Sequence, residues 1–528
     1  MEESKPGIGD SGRKWLTAVA AAWEETGGAG GAFAEAIARK LGTELKATAA
    51  FLEAIDAIAT FADAPLAEGF VALEEEDKSV EAAFRAVRPI LEARLQAALS
   101  AADAAIAAAA PSPTCKCCAG KLERQGLREK PWGSIVGKLN LGRVYGWCEP
   151  CGTGRARAQE LVGLPEGDYT ARLEELASMM TTTVTFGMAR RLLRELLHVE
   201  LSEKALKDLT ERRGQEVKRL QQAEAKRCAP YDEKGLPVPV QVKPQEAQSV
   251  EAPEVAYLEM DGVFPMTRQE IPEAELSAAE REKLEQARQS KARGGKGRRY
   301  KVEGKEVKNG VLYTGEHCGQ ESPSRGCITE KRYVSHLGTW QQFAALLWVQ
   351  MLALGFDRAK RLVVISDGAE WIRSFCEWLP VQTFLILDLF HAQHRIWEVA
   401  HALYGEGDGE GAKWARTQCA RVEAGKAQEV IQALAFLQPR AEHVRKKVDE
   451  LAAYLKNNLD RMDYPTYKAM GLRVTSAAVE SANYHVTGSR LKLQGMRWDV
   501  EGAAQMASLR ADLFNGDWET RTRQLLAA

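Results

Sequence analysis

The stretch Leu362-Val363-Val364-Ile365-Ser366-Asp367-Gly368 decides how the chain is read. Its apolar run shows no polar alternation, which predicts a strand buried on both faces, as in parallel sheets. Asp367 then emerges at the strand's carboxyl end, where α/β sheets build their sites, and Asp-Gly makes the exit turn. Working outward, helices are predicted near 339–354 and 370–377 and from about 390, with a second buried strand at Thr383–Leu387. On the amino-terminal side, Val255–Val263, Val307–Thr314 and Cys327–His336 predict three strands in succession. The first of them carries Asp261 near its end, in Leu258-Glu259-Met260-Asp261-Gly262.

Three consecutive strands followed by alternating helix and strand is the order of a ribonuclease H-like α/β core. That core is expected over 254–400 and 471–515, interrupted by an all-helical insertion at 401–470. Upstream the texture changes. Residues 1–110 are rich in Ala, Leu and Glu, with helical spacing at Leu91, Leu95 and Leu99, and Pro111-Ser112-Pro113 closes this α-helical region. Residues 165–228 predict helices broken at His198–Leu201, with Ser202 capping the second, an order like that of a DNA-binding helix-turn-helix. Pro230, Pro237, Pro239, Pro244 and Pro253 make 229–253 an expected exposed linker.

At 528 residues and 45% apolar, the chain has room for several domains and a sizeable core. Lys and Arg number 71 against 73 Asp and Glu, so net charge announces no nucleic acid and any such case rests on local patches. No apolar run is long enough for a membrane span, and the N-terminus lacks the pattern of a secretory signal, so a cytoplasmic protein is expected. Ten cysteines are too sparse for a disulfide scaffold, but Cys115-x-x-Cys118 and Cys148-x-x-Cys151 form two pairs within 114–160. Four thiolates close a tetrahedral zinc site with no open position, which predicts one structural zinc in a zinc-ribbon-like module. Cys117 could take the place of Cys118.

Magnesium takes hard oxygen ligands and few of them from protein, which suits Asp261, Asp367 and Glu480, the last in Ala477-Ala478-Val479-Glu480-Ser481-Ala482. Asp388 and His391 are expected either beside that site or as a helix cap and a packed ring. Between Gln286 and Val302 stand seven Lys or Arg and no acid, with Arg298, Arg299 and Lys301 as candidate phosphate contacts on a flexible or merely solvated loop. Lys204 and Lys207 on the second predicted helix, and Arg490, Lys492, Arg497 and Trp498 beyond Glu480, complete the candidate DNA contacts.

Several runs together resemble bacterial insertion-sequence transposases of the ISKra group. They are Arg461-Met462-Asp463-Tyr464-Pro465, Ala478–Ala482, Arg490–Trp498, Asp367-Gly368-Ala369-Glu370-Trp371-Ile372 and Asp388-Leu389-Phe390-His391-Ala392, and the resemblance covers about 114–515. It implies a DDE catalytic core with Asp261, Asp367 and Glu480 as the triad and Asp388 with His391 as a neighbouring pair. Two magnesium ions, with manganese as substitute, would then serve cleavage of double-stranded DNA at transposon ends and joining to target DNA. Synapsis of two ends implies at least a dimer. The family's Gly-Ser-Gly before the glutamate is Thr475-Ser476-Ala477 here, which predicts an altered turn at Glu480. Two rival readings are a nuclease of the same core that never joins strands, and a transposon-derived DNA-binding protein without activity.

Overall fold

The computed structural model describes residues 70–109, 114–244, 250–289, 299–322 and 325–527, with isolated positions before residue 70. Arg298, most of the basic loop, Pro111–Pro113 and most of the first seventy positions lie outside the described residues. The protein is a multidomain mixed α/β molecule with two compact units, Met1–Ser178 with Phe186–Leu206, and Met179–Thr185 with Lys207–Ala528. Among the described residues, no helix is long and apolar enough to cross a membrane.

In the first unit, helix α1 (Phe70–Ala108) precedes an antiparallel sheet of β1 (Glu123–Ser134), β2 (Gly137–Cys148) and β3 (Thr153–Arg155). Leu99 from the helix packs with Trp132 and Leu141 from the sheet and with Ala158 from α2 (Arg157–Val162). β3 covers only the last residues of β2, leaving a strand edge to be satisfied. α1 does this with polar side chains. Gln96 both accepts from the Gly142 N–H (2.8 Å) and donates to its carbonyl (2.9 Å), and Glu92 accepts from the Asn140 N–H at 2.9 Å. Helices α3 (Ala171–Thr183), α4 (Phe186–Leu197) and α5 (Glu203–Cys228) follow. His198, at φ +51°, ends the run of α4, and the Ser202 hydroxyl caps α5 by accepting from the Ala205 N–H at 3.1 Å. α5 runs unbroken to Cys228.

The second unit is built on β4 (Val255–Val263), β7 (Val307–Thr314), β10 (Arg332–Leu337), β11 (Arg361–Ser366) and β12 (Thr383–Leu387), in the order β10-β7-β4-β11-β12. β7 runs antiparallel to both of its neighbours, β10 and β4, and β4, β11 and β12 run parallel. Strand alternation sorts the faces. Ala256, Leu258, Met260, Leu362 and Val364 meet Phe343, Leu347 and Trp348 of α7 (Trp340–Ala353) and Phe375 of α8 (Glu370–Trp378). Tyr257, Val363 and Ile365 meet α9 (Leu389–Tyr404) and helices of 401–470, including Ala415 of α10 (Gly409–Glu423), Val430 of α11 (Ala427–Ala435) and Leu451 of α12 (Glu442–Asn457). The 401–470 segment, which closes with α13 (Tyr464–Ala469), is therefore helical, and it forms one wall of the core.

Two expectations change. Cys327–His336 is not one strand, because the polar run Thr329-Glu330-Lys331 breaks it into β9 (Arg325–Ile328), paired with β8 (Cys318–Ser322), and β10. The described residues of 229–253 are largely exposed in their side chains, yet the segment is stapled to the core by two indoles: Trp348 donates to the Val240 carbonyl at 3.1 Å and Trp378 to the Pro237 carbonyl at 2.5 Å. A small sheet of β5 (Met266–Glu270), β6 (Tyr300–Gly304) and β13 (Trp498–Asp499), and helix α6 (Ala278–Gln289), carried no signal read from the sequence.

Candidate functional site

The first candidate site is the cysteine cluster. Cys115, Cys118, Cys148 and Cys151 bring their sulfur atoms within 4.8 Å of one another, a donor set that fits zinc. The Cys118 and Cys148 sulfurs stand 3.6 Å apart. That is close to the roughly 3.8 Å edge of a tetrahedron with Zn–S bonds of about 2.3 Å. The turn holds the sulfurs from behind: the Cys117 N–H points to Cys115 Sγ at 3.4 Å and the Gly120 N–H to Cys118 Sγ at 3.4 Å. Ala119 takes φ +56° to close this knuckle. Backbone N–H groups draw the Cys115 thiol down to about 6, while the neighbouring thiols push Cys151 up. Cys117 is exposed and lies outside the cluster.

The second candidate site lies at the carboxyl ends of β4 and β11. Ser366 pairs with Met260, so Asp367 and Asp261 leave neighbouring parallel strands side by side. Burial, then the charge of Asp367, raises the pKa of Asp261. Its Oδ1 accepts from the Gly262 N–H at 2.7 Å, and its Oδ2 accepts from Asn483 Nδ2 at 2.5 Å. Asp367 Oδ1 accepts from the Ala369 N–H at 3.0 Å.

Glu480 arrives on α14 (Ala477–Ala482) and joins the group through His391. His391 Nδ1 is 3.3 Å from Asp388 Oδ2, off the line of a hydrogen bond, and 4.0 Å from Glu480 Oε1. The Asp388 carboxylate, with Asp261 and Asp367 beyond it, raises the imidazole pKa. Asp388 itself caps α9 through the Phe390 and His391 N–H groups (2.6 and 3.1 Å) and accepts from the Ser476 N–H (2.8 Å) and hydroxyl. Burial alone would raise its pKa, but His391 and Ser476 outweigh burial and hold it low. Asp261, Asp367 and Glu480 thus share one electrostatic neighbourhood, but they do not close to the spacing of the four sulfurs.

Two residues that the sequence reading passed over hold this site. Asn483 opens a π-helical turn (Asn483–Gly488), links Asp261 to Asn309 at 2.7 Å, and through it to Ser335 and Thr487. Glu259, fully buried on the same strand as Asp261, accepts from the Val479 N–H at 2.9 Å and from the Tyr313 hydroxyl. Burial raises its pKa to about 7. Its position two residues before Asp261 puts both on one face of the strand, the signal by which it could have been found. The altered turn predicted at Thr475-Ser476-Ala477 needs no glycine, since none of the three has positive φ, and Ser476 is tied to Asp388 instead.

The candidate DNA contacts divide. Arg490 and Trp498 are buried, with Arg490 donating to the Thr181 carbonyl at 2.8 Å and lying 4.8 Å over the Trp498 ring, so neither reaches a ligand. Burial pushes the Arg490 guanidinium down to about 10. Lys207 is bound to Asp499 (2.9 Å), and Lys301 to Glu303 (2.6 Å) while still exposed. Lys204, Lys492 and Arg497 are exposed, and Arg299 is half-buried.

Residues 300–524 match an uncharacterised protein family, UPF0236. The matched segment contains Asp367, Asp388, His391, Glu480 and Asn483 and leaves out Asp261 and the cysteine cluster. No curated protein matches the chain.

Proposed function

We propose that the chain is a DDE-type DNA transposase, acting on double-stranded transposon ends and target DNA as at least a dimer. In this reading the second unit is a ribonuclease H-like catalytic core and the cysteine cluster sits in a zinc-ribbon-like module. The observation that carries it is the sheet. Taking β4, β7, β10, β11 and β12 as first to fifth, the order is third-second-first-fourth-fifth, with the first three antiparallel and the last two parallel to the first. Asp261 stands near the end of the first strand, Asp367 follows the fourth, and Glu480 sits on a helix tied back to the first strand by Glu259.

The carboxylates fit magnesium in chemistry, being hard oxygen donors at the end of a buried sheet. Bound by Asp261, Asp367 and Glu480, the metal would polarise a phosphodiester and lower the pKa of water. The chain's own residues do the rest. Asn483 and Gly262 fix both oxygens of Asp261, Asp388 and Ser476 fix the entry to α14, and the His391 imidazole stands between Asp388 and Glu480. The test is incubation of the purified protein with duplexes carrying its own element ends and magnesium. Nicked and joined products support the reading, nicks without joining favour a nuclease, and binding without nicks favours a DNA-binding protein of lapsed chemistry.

A further inference from the structure

The β1–β2 ribbon carries an electrostatic arrangement that the fold does not need. Its register sets Arg128 directly opposite Arg143, a pairing of like charges that disfavours a sheet. Both guanidinium groups gather on one ring: Arg128 Cζ is 4.7 Å and Arg143 Cζ 5.6 Å from the Tyr145 centroid. Arg128 is exposed and makes no ion pair with any described residue. Arg143 donates one N–H to Gln159 at 2.7 Å and leaves its Nε without a partner. Three neighbouring cations are already committed. Lys130 donates to the Glu166 and Gly167 carbonyls and lies 3.5 Å from Asp168, and Arg155 and Arg157 both pair with Glu160. Over 114–160 there are nine Lys or Arg against four Glu, in a chain whose net charge is -2.

We propose that this ribbon grips duplex DNA by its phosphates, with Arg128 and Arg143 as paired forks and Tyr145 as the platform that holds them side by side. An anionic ligand relieves the opposed charges, and a guanidinium matches the bidentate geometry of a phosphate oxygen pair. Serial phosphates along a duplex offer two such pairs at once, which an isolated carboxylate does not. The proposal rests on the transposase reading and deepens it, assigning backbone grip to a surface distinct from the carboxylate edge. The ribbon reads no base identity, so the effect is the same on any sequence.

The experiment uses the full-length, zinc-loaded protein and two duplexes of equal length, one bearing an element end and one unrelated. Affinity is read by fluorescence anisotropy across a salt series. In the double variant R128Q/R143Q, binding to both duplexes should weaken tenfold or more, and the log–log salt slope should flatten by about 1.8, or 0.9 for each phosphate no longer neutralised. R128Q alone, at an exposed position, should flatten the slope by about 0.9. Zinc content equal to the parent's shows that the module is folded. Parent-like affinity and slope in R128Q, with zinc retained, overturns the ribbon assignment while leaving the transposase reading standing. A parent that binds neither duplex overturns both. A parent that binds polyglutamate as tightly as DNA, with both affinities reduced in the variant, overturns the phosphate assignment.

Discussion

The two candidate sites are built by opposite means. The cysteine cluster is closed by one hairpin: its ligands come from two tight turns, and backbone N–H groups hold the sulfurs directly. The carboxylate edge is closed by the whole second unit, and its three acids are held by third parties. Asn483 reaches Asp261, the Ala369 N–H holds Asp367, and Glu259 anchors the helix of Glu480. A site of the first kind stands or falls with its metal. A site of the second kind depends on buried polar groups and can be damaged without touching a ligand.

The largest effect should follow from zinc. Structural zinc contributes on the order of 10 kcal/mol to such modules, so Cys148→Ser or chelation should abolish the fold of 114–160. The second unit should keep its own cooperative unfolding. Elemental analysis should read about one zinc per chain in the parent and none in the variant; full zinc in Cys148→Ser would break the contrast. Next come the acids. Asp261→Asn, Asp367→Asn and Glu480→Gln should each lower end cleavage roughly a thousandfold, about 4 kcal/mol of barrier, with thermal stability little changed. Parental nicking by Glu480→Gln would remove it from the proposed triad.

A pH series sharpens the contrast from the side of the sheet. His336 is buried on β10 with Nε2 3.2 Å from Gln342 Oε1; burial, with Lys218 and Lys308 nearby, pushes it down to about 4 against the weaker pull of Gln342 and Glu501. The unfolded chain takes up this proton near 6.5, the native one only near 4. Stability is therefore fully present above about pH 6.5 and falls as pH drops toward 4, by up to about 3 kcal/mol. Denaturant melts of the parent and His336→Gln should show that slope flattened in the variant; equal slopes would remove His336 from the account. The smallest effect belongs to the anchor. Glu259→Ala leaves the Tyr313 hydroxyl and the Val479 N–H without their acceptor, costing about 2 kcal/mol. Cleavage should fall as well, and Glu259→Gln should recover part of both effects. Undiminished cleavage in Glu259→Ala would show that the edge holds itself as locally as the cysteines do.

The same contrast explains what could be read in advance. The CxxC pairs are visible because their geometry is local, β11 and β12 because buried strands leave continuous apolar runs, and β4 and β7 because their apolar stretches are broken by only a few polar residues. Asp261 and Asp367 followed from strand ends. Glu259 and Asn483 did not, because a buried carboxylate and an amide acquire meaning only from partners far along the chain. Arg490 and Trp498 misled for the same reason: a cation next to an aromatic reads as a surface motif, yet here they stack on each other inside the core. The β5–β6–β13 sheet was missed because its strands are short and polar and one of them comes from near the C-terminus.

The polar rail along α1 has one more consequence. Glu92 and Gln96 occupy hydrogen-bonding groups of β2 that would otherwise face outward as an unpaired strand edge. Such edges recruit other strands, and natural proteins blunt them with charge or cover. A fragment beginning at Thr114 would keep every cysteine and still lose that cover. It should self-associate edge to edge, and α1 is therefore the element that keeps the hairpin monodisperse.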